Sequence, residues 1–288
     1  MIPVMQKIDP EFLRSLLMQR ADDSHKGDYG HLLLVCGCQA MPGAAVLATG
    51  AALKSGCGLV TLHAPERALQ AVAVNFPSAM LSLEPGSCFG QVPERLDRFA
   101  AVGVGPGLGT APQTVGALSL LMMHARDLGI PMVLDADALN ILSERTELKT
   151  CIPAGSVLTP HLGELKRLIP YASQEEKEAG ILRLCREAGC VLVSKGFHSE
   201  IYTPEGEKLV NTTGNPGLAK GGSGDVLTGL VAGLLARGYD ARTAAALGVW
   251  IHGFAGDALT ERCTAEAYSS RDLVTALHLG FKALVSAK

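Results

Sequence analysis

A series of short, unbroken apolar runs, each closed by glycine or a polar residue, most limits what this chain can fold into. HLLLVCG (31–37), GLVTLHAP (58–65), AAVGVGPG (100–107), PMVLDADALN (131–140), SVLTPH (156–161) and CVLVSKG (190–196) follow one another along the chain. Such runs are too uniform for strands with one wet face, and they read as strands buried on both sides. Helical patterns fall between them, over 43–56, 112–128, 161–169 and 174–188, and again over 224–237, 241–261 and 270–286. Residues 199–211 read as a hairpin turning at Pro204-Glu205-Gly206. Residues up to about 25 read as an amphipathic leader helix. The alternation predicts an α/β fold with a mainly parallel central sheet covered by helices on both faces. No internal repeat or linker divides the sequence, so one domain is expected over 1–288. Sheets of this kind bind ligands at the carboxyl ends of their strands, where Gly105-Pro106-Gly107, Asp135, Asp137, His161 and Lys195-Gly196 fall.

Composition removes several functions. A formal charge of −3 and 5% aromatic residues argue against a nucleic-acid binder. No uncharged apolar stretch reaches the roughly 20 residues of a membrane span. The charged N-terminal stretch makes a poor signal peptide. The eight cysteines include no CxxC pair, so they read as reduced thiols of a cytoplasmic enzyme.

The stretch NPGLAKGGSGDVLTGLVAGLLARG (215–238) carries the chemistry. Gly221, Gly222, Ser223 and Gly224 precede an apolar helix, and free amides at a helix N-terminus favour an anion. Glycines let a phosphate approach several amides at once. Asp225 sits in the first turn, where a carboxylate can take a proton from a substrate hydroxyl. An ordinary capping aspartate does not need four glycines between Gly217 and Gly224. No GK[ST] follows, so this is no Walker A loop, and GVGPGLG (103–109) does not fit GxGxxG in any register.

Asp135 and Asp137 point to opposite faces if their strand persists. Asp135 is expected at a ligand or a metal-bound water, and Asp137 at a helix cap. In LTPHLGELKRL (158–168) Thr159 is the expected N-cap and Pro160 the first helical residue. His161 is expected in the site, and Glu164 either organises a magnesium-bound water or faces solvent. Lys195 can hold a phosphate as a point charge.

These motifs together resemble the NAD(P)H-hydrate dehydratases, a branch of the ribokinase-like fold. The resemblance runs from about residue 28 onward, through MPGAAVLATGAALKSGCGLV (41–60), GVGPGLG, VLDADALN, LTPHLGEL, VSKG and GNPGLAKGGSGDVLTG (214–229), in that order. It implies a three-layer α/β/α sandwich and a metabolite-repair reaction on NADH or NADPH hydrated across the nicotinamide C5–C6 bond. A nucleotide phosphorylates the C6 hydroxyl, and phosphate then leaves. By position, the resemblance implies that Ala44, Gly107 and His161 line the hydrated nucleotide, with Asp225 at its hydroxyl as the catalytic residue. Lys195, Gly196, Phe197, His198 and Ser199, with Gly222, Ser223 and Gly224, would hold the adenine nucleotide. Magnesium and ADP, favoured over ATP and giving AMP and phosphate, are the implied cofactor and co-substrate. With only about 25 residues ahead of the match, the chain is expected to act on the S epimer, to depend on a separate epimerase and to assemble as a homo-oligomer, a tetramer. It departs from the family at Leu162, where proline is frequent, and at Lys220, where threonine is frequent. A ribokinase-like kinase of a vitamin-precursor hydroxyl and a non-catalytic nucleotide sensor are the competing readings.

Overall fold

A computed structural model describes residues 5–285. One ten-stranded sheet runs through it, in the order β1-β10-β9-β8-β7-β6-β5-β2-β3-β4. The strands are β1 (Met5–Lys7), β2 (His31–Val35), β3 (Leu59–Pro65), β4 (Met80–Glu84), β5 (Ala101–Val104), β6 (Met132–Leu134), β7 (Val157–Leu158), β8 (Val191–Ser194), β9 (Glu200–Tyr202) and β10 (Lys208–Val210). All neighbours are parallel except β9, which runs against both β8 and β10. The helices are α1 (Pro10–Leu16), α2 (Pro42–Lys54), α3 (Glu66–Asn75), α4 (Pro112–Asp127), α5 (Ala136–Glu144), α6 (Leu162–Leu168), α7 (Gln174–Ala188), α8 (Ser223–Ala236), α9 (Ala241–Thr260) and α10 (Ser270–Val285). The three-layer α/β/α architecture is as expected.

Period-two alternation divides the central strands between two cores. Leu32 and Leu34 of β2 pack with α2, α8 and α9, while Leu33 and Val35 join Leu118 and Leu121 of α4 and Leu139 of α5 on the other face. Val133 and Leu134, and Val191 and Leu192, divide in the same way. Both faces are therefore dry, which is why these strands read as continuous apolar runs. Helix α8 is buried almost all round, as its uniformly apolar composition requires. Helix α7 begins at Ser173, whose Oγ accepts the Glu176 amide, and ends at left-handed Gly189. Among the described residues, no helix is long and apolar enough to cross a membrane.

The strand order reverses between β5 and β2, so the loops leaving these two strands part from one another. Such a switch point opens a crevice at the strands' carboxyl ends. The loops still touch: the Gly37 amide donates to the Pro106 carbonyl at 2.7 Å.

Three expectations need correction. The leader is not a helix to residue 25: among its described residues, strand β1 pairs with β10, and the helix spans only Pro10–Leu16. The 131–140 run is a strand only to Leu134, and Ala136 opens α5. Between 66 and 99, where no element was expected, the chain forms α3 and edge strand β4. Only Ala68, Leu69 and Val72 of α3 are buried, and Met80, Leu81 and Leu83 of β4 are exposed, so neither carries a clear core pattern.

Candidate active site

Two strand ends and the first turns of α8 converge on one carboxylate. Asp135, just beyond β6, is buried; its Oδ1 lies 2.8 Å from Lys195 Nζ beyond β8, and its Oδ2 accepts the Thr228 hydroxyl of α8 at 2.6 Å. A Cβ built at Gly224 would meet Lys195 Nζ at 3.4 Å and Asp135 Oδ2 at 3.6 Å, so the first turn of α8 lies against this ion pair. Ala136, next to Asp135, holds φ at +48°, a left-handed conformation costly for alanine.

These groups border a cleft of about 700 Å³. It is lined by Asp135, His161, Glu164, Lys195, Gly196, Phe197 and Ser199, and by Ser223, Gly224 and Asp225 of α8. Asn211, Thr213, Asn215 and His252 also line it. Ala44, Gly107, Gly222 and His198 lie outside the cleft. Gly222 is the left-handed N-cap of α8, at φ +88°; any side chain there would strike Leu47 of α2. Ala44 and Gly107 face each other at the switch point, where a Cβ at Gly107 would stand 2.8 Å from the Ala44 Cβ. His198 packs its ring on exposed Phe197, with centroids 4.4 Å apart.

Burial shifts an acid and a base of the cleft in opposite directions. Asp225 is pushed up to about 6, first by burial and then by the negative charge of Asp135, with Lys195 opposing. An acid poised there takes and returns protons near neutral pH. His252 is drawn down to about 4 by burial, so its ring is neutral, and its Nε2 meets the Ser223 carbonyl at 2.9 Å. It steadies the start of α8 rather than adding charge.

His161, not Thr159, is the N-cap of α6. Its Nδ1 accepts the amides of Gly163 and Glu164 at 2.9 and 3.3 Å, which leaves the ring proton on Nε2, facing Glu164 Oε1 at 3.4 Å. Glu164 Oε2 in turn accepts the His161 amide at 2.8 Å, closing a capping box. Glu164 is thus buried rather than turned to solvent. Thr159 is buried with its hydroxyl unpaired. Asp137 sits in the first turn of α5 and accepts the Gly109 amide at 2.8 Å, tying the GVGPGLG loop down. Lys220 donates to the Ala265 carbonyl at 2.9 Å and to the Tyr268 carbonyl, with the Tyr268 ring 4.2 Å from its ammonium. Its charge is therefore spent on the 265–268 turn.

Sequence reading passed over Asn211, Thr213, Asn215, Thr228 and His252. Thr228 was open to detection, since it follows Gly224 by one helical turn and so shares its face. The Asn-Thr-Thr-Gly-Asn-Pro run from Asn211 also carried a turn signal. It is anchored far along the chain: the Thr213 hydroxyl on the Trp250 carbonyl, and the Gly214 backbone amide and the Asn215 side chain on Asp257.

A mainly parallel sheet with a switch point, and a helix N-terminus opening into a cleft beside an acid and a lysine, define a nucleotide-dependent enzyme of the ribokinase-like class. The chain belongs to the NAD(P)H-hydrate dehydratase family, whose model matches residues 32–278. An ADP-dependent (S)-NAD(P)H-hydrate dehydratase of Neisseria meningitidis is 40% identical over 84% of this chain and 81% of its own. A bifunctional NAD(P)H-hydrate repair enzyme of Moorella thermoacetica is 38% identical over 91% of this chain; the chain spans about half the length of such bifunctional relatives, 51% here. The crystal structure of an ADP/ATP-dependent NAD(P)H-hydrate dehydratase of Bacillus subtilis, co-crystallised with ATP and Mg2+, superposes with a TM-score of 0.81 at 29% identity, covering 98% of this chain and 99% of its own.

Proposed function

We propose that this chain dehydrates the S epimer of hydrated NADH or NADPH, with ADP as the favoured phosphoryl donor, and so repairs the damaged cofactor. The observation that carries this reading is Asp225: a carboxyl held near 6, at the amide-rich start of α8, beside the Asp135–Lys195 pair. Above its pKa, Asp225 takes the proton of the C6 hydroxyl as that oxygen attacks the terminal phosphorus, and AMP departs. The α8 amides and Lys195 meet the charge that builds on the phosphoryl oxygens. The C6–O bond then breaks with help from the ring nitrogen's electrons. Phosphate leaves with the bonding pair, and loss of the C5 proton restores the double bond.

Under this reading the adenine nucleotide occupies the cleft along Lys195, Gly196, Phe197 and Ser199, with His198 at its rim and the Gly222–Gly224 turn at its phosphates. The hydrated nucleotide lies toward Ala44, Gly107 and His161. Among the described residues, no three His, Cys, Asp or Glu side chains gather as a metal group. Mg2+ keeps several waters and rides on phosphate oxygens with one or two carboxylates. Glu164 is the carboxylate that would hold one of those waters, and the ion would supply charge neutralisation. Eight unpaired cysteines support a reducing, cytoplasmic setting. A separate epimerase supplying the S form and assembly as a homotetramer complete the proposal.

The test supplies hydrated NADH, magnesium and either ADP or ATP. Return of the reduced nicotinamide's near-ultraviolet absorbance, with AMP and phosphate formed and ADP the better donor, is expected. A stable phosphorylated product without recovered NADH overturns the reading.

A further inference from the structure

Segment 37–41 leaves β2 at the switch point and shapes the corner where Ala44 and Gly107 meet: a Cβ at Gly107 would stand 3.0 Å from the Met41 Cβ and 3.2 Å from its carbonyl. Gln39 and Met41 are exposed, so little packing holds this segment. Beyond the Gly37–Pro106 hydrogen bond at its start, it is held at Gln39, through one peptide group on each side. The Gln39 amide donates to the Ser87 carbonyl at 2.8 Å, and Arg67 of α3 donates to the Gln39 carbonyl at 3.2 Å.

Ser87 lies in a loop without regular structure, gathered round one buried anion. Glu84, the last residue of β4, accepts the Gly86 amide on Oε1 at 3.1 Å, and the Gly90 and Gln91 amides on Oε2 at 2.9 and 3.0 Å. His63 of β3 lies behind it, with Nε2 at 3.4 Å from Glu84 Oε2 and Nδ1 at 3.0 Å from Ser82 Oγ. The Phe89 ring closes edge-on over the imidazole. Both Glu84 and His63 are almost fully buried. Burial opposes ionisation of Glu84, yet the three amides and His63 together hold its carboxyl below the usual range. A buried carboxylate at a sheet edge is a costly way to order a surface loop. What it secures is geometry: Glu84 fixes the 85–91 loop, the loop fixes Gln39, and Gln39 fixes the wall facing Ala44 and Gly107.

We propose that Glu84 is a positioning residue for the hydrated-nucleotide side of the site, acting through the Ser87–Gln39 hydrogen bond, with Arg67 as the second clamp. This rests on the dehydratase reading above. The side chains of Glu84 and Arg67 touch neither Asp225 nor the nucleotide cleft, so their loss should reach one substrate and spare the other.

The test compares full-length wild type with Glu84→Gln and Arg67→Ala, measuring kcat, KM for hydrated NADH, KM for ADP and ADP binding by calorimetry. E84Q replaces one acceptor oxygen by an NH2 donor, which then faces either the Gly86 amide or the Gly90 and Gln91 amides, while the other oxygen still accepts. It is expected to raise KM for hydrated NADH by about tenfold, with kcat and KM for ADP changing less than about twofold. R67A, a surface change, is expected to raise the same KM by about twofold to threefold. A folded E84Q, shown by wild-type ADP binding, that leaves KM for hydrated NADH unchanged or shifts both KM values alike overturns the proposal. If E84Q does not fold, R67A decides in the same way. A wild-type protein without dehydratase turnover overturns the functional reading itself and this inference with it.

Discussion

Lys195 Nζ stands 2.8 Å from Asp135 Oδ1, joining the ends of two strands that are 60 residues apart in the chain. The carboxylate is almost fully buried, and the lysine keeps a fifth of its side chain in solvent. Lys195→Met leaves Asp135 with only the Thr228 hydroxyl. The variant is expected to lose about 1–3 kcal/mol of stability, less than a fully buried pair because the lysine is partly hydrated. It is also expected to lose about a hundredfold in kcat/KM for the nucleotide. Chemical denaturation and steady-state kinetics measure the two losses separately. Unchanged kinetics would remove Lys195 from the phosphate site.

Asp225 ties activity and stability to the same ionisation. As a base it must be charged, so kcat/KM should rise with pH through about 6. Asp135→Asn removes a negative neighbour that raises this pKa, so the acid limb should move to lower pH. Asp225→Asn should cut kcat by a factor of about 10²–10⁴ while ADP still binds. In wild type the raised pKa means that ionising Asp225 costs folding free energy. That cost is absent below the unfolded value near 4 and grows until pH passes about 6. D225N should therefore leave stability unchanged at pH about 4 and gain about 1–2 kcal/mol at pH about 8. Thermal melts at the two pH values check the sign, and a gain at acid pH alone would contradict it.

Lys220 spends its donors on the Ala265 and Tyr268 carbonyls, and its ammonium lies against the Tyr268 ring. Lys220→Ala is expected to cost about 1–3 kcal/mol of stability by releasing two carbonyls and one cation–π contact. Its kcat should stay within about threefold of wild type at temperatures where the variant is folded. Urea unfolding alongside turnover decides, since a phosphate-binding lysine would show the reverse pattern.

Leu162 is the first residue of α6 and is half exposed. The first helical amide has no internal partner, and His161 before it is extended at ψ 168°, so proline fits both positions. Leu162→Pro is expected to stabilise the protein by about 0.4–1 kcal/mol through the unfolded chain, with unchanged kinetics. A lower melting temperature would show that the helix start differs from the one described.

Much of this protein was legible locally. The apolar runs announced β2, β3, β5, β7 and β8, because strands buried on both faces are predominantly apolar. Helix α7 began and ended where Ser173 and Gly189 place its caps, and the 199–211 hairpin turned where expected. The glycines before Asp225 marked an amide-rich helix start from composition alone. The misses lie where a residue's partner is distant in sequence. Strand β1 exists because β10, some 200 residues later, offers it an edge. Edge strand β4 and helix α3 face water too much to show a core period. Thr159 loses the cap to His161 because the sheet buries its side chain, and Lys220 turns to carbonyls more than 40 residues away. Sequence by itself determined the buried central strands, most of the helices and the residue types at the strand ends, since backbone sterics and hydrophobic period act over a few residues. Only the tertiary structure decided that Asp135 is locked between Lys195 and Thr228 while Asp225 is left to titrate, because burial and charge proximity arise only once distant segments pack together.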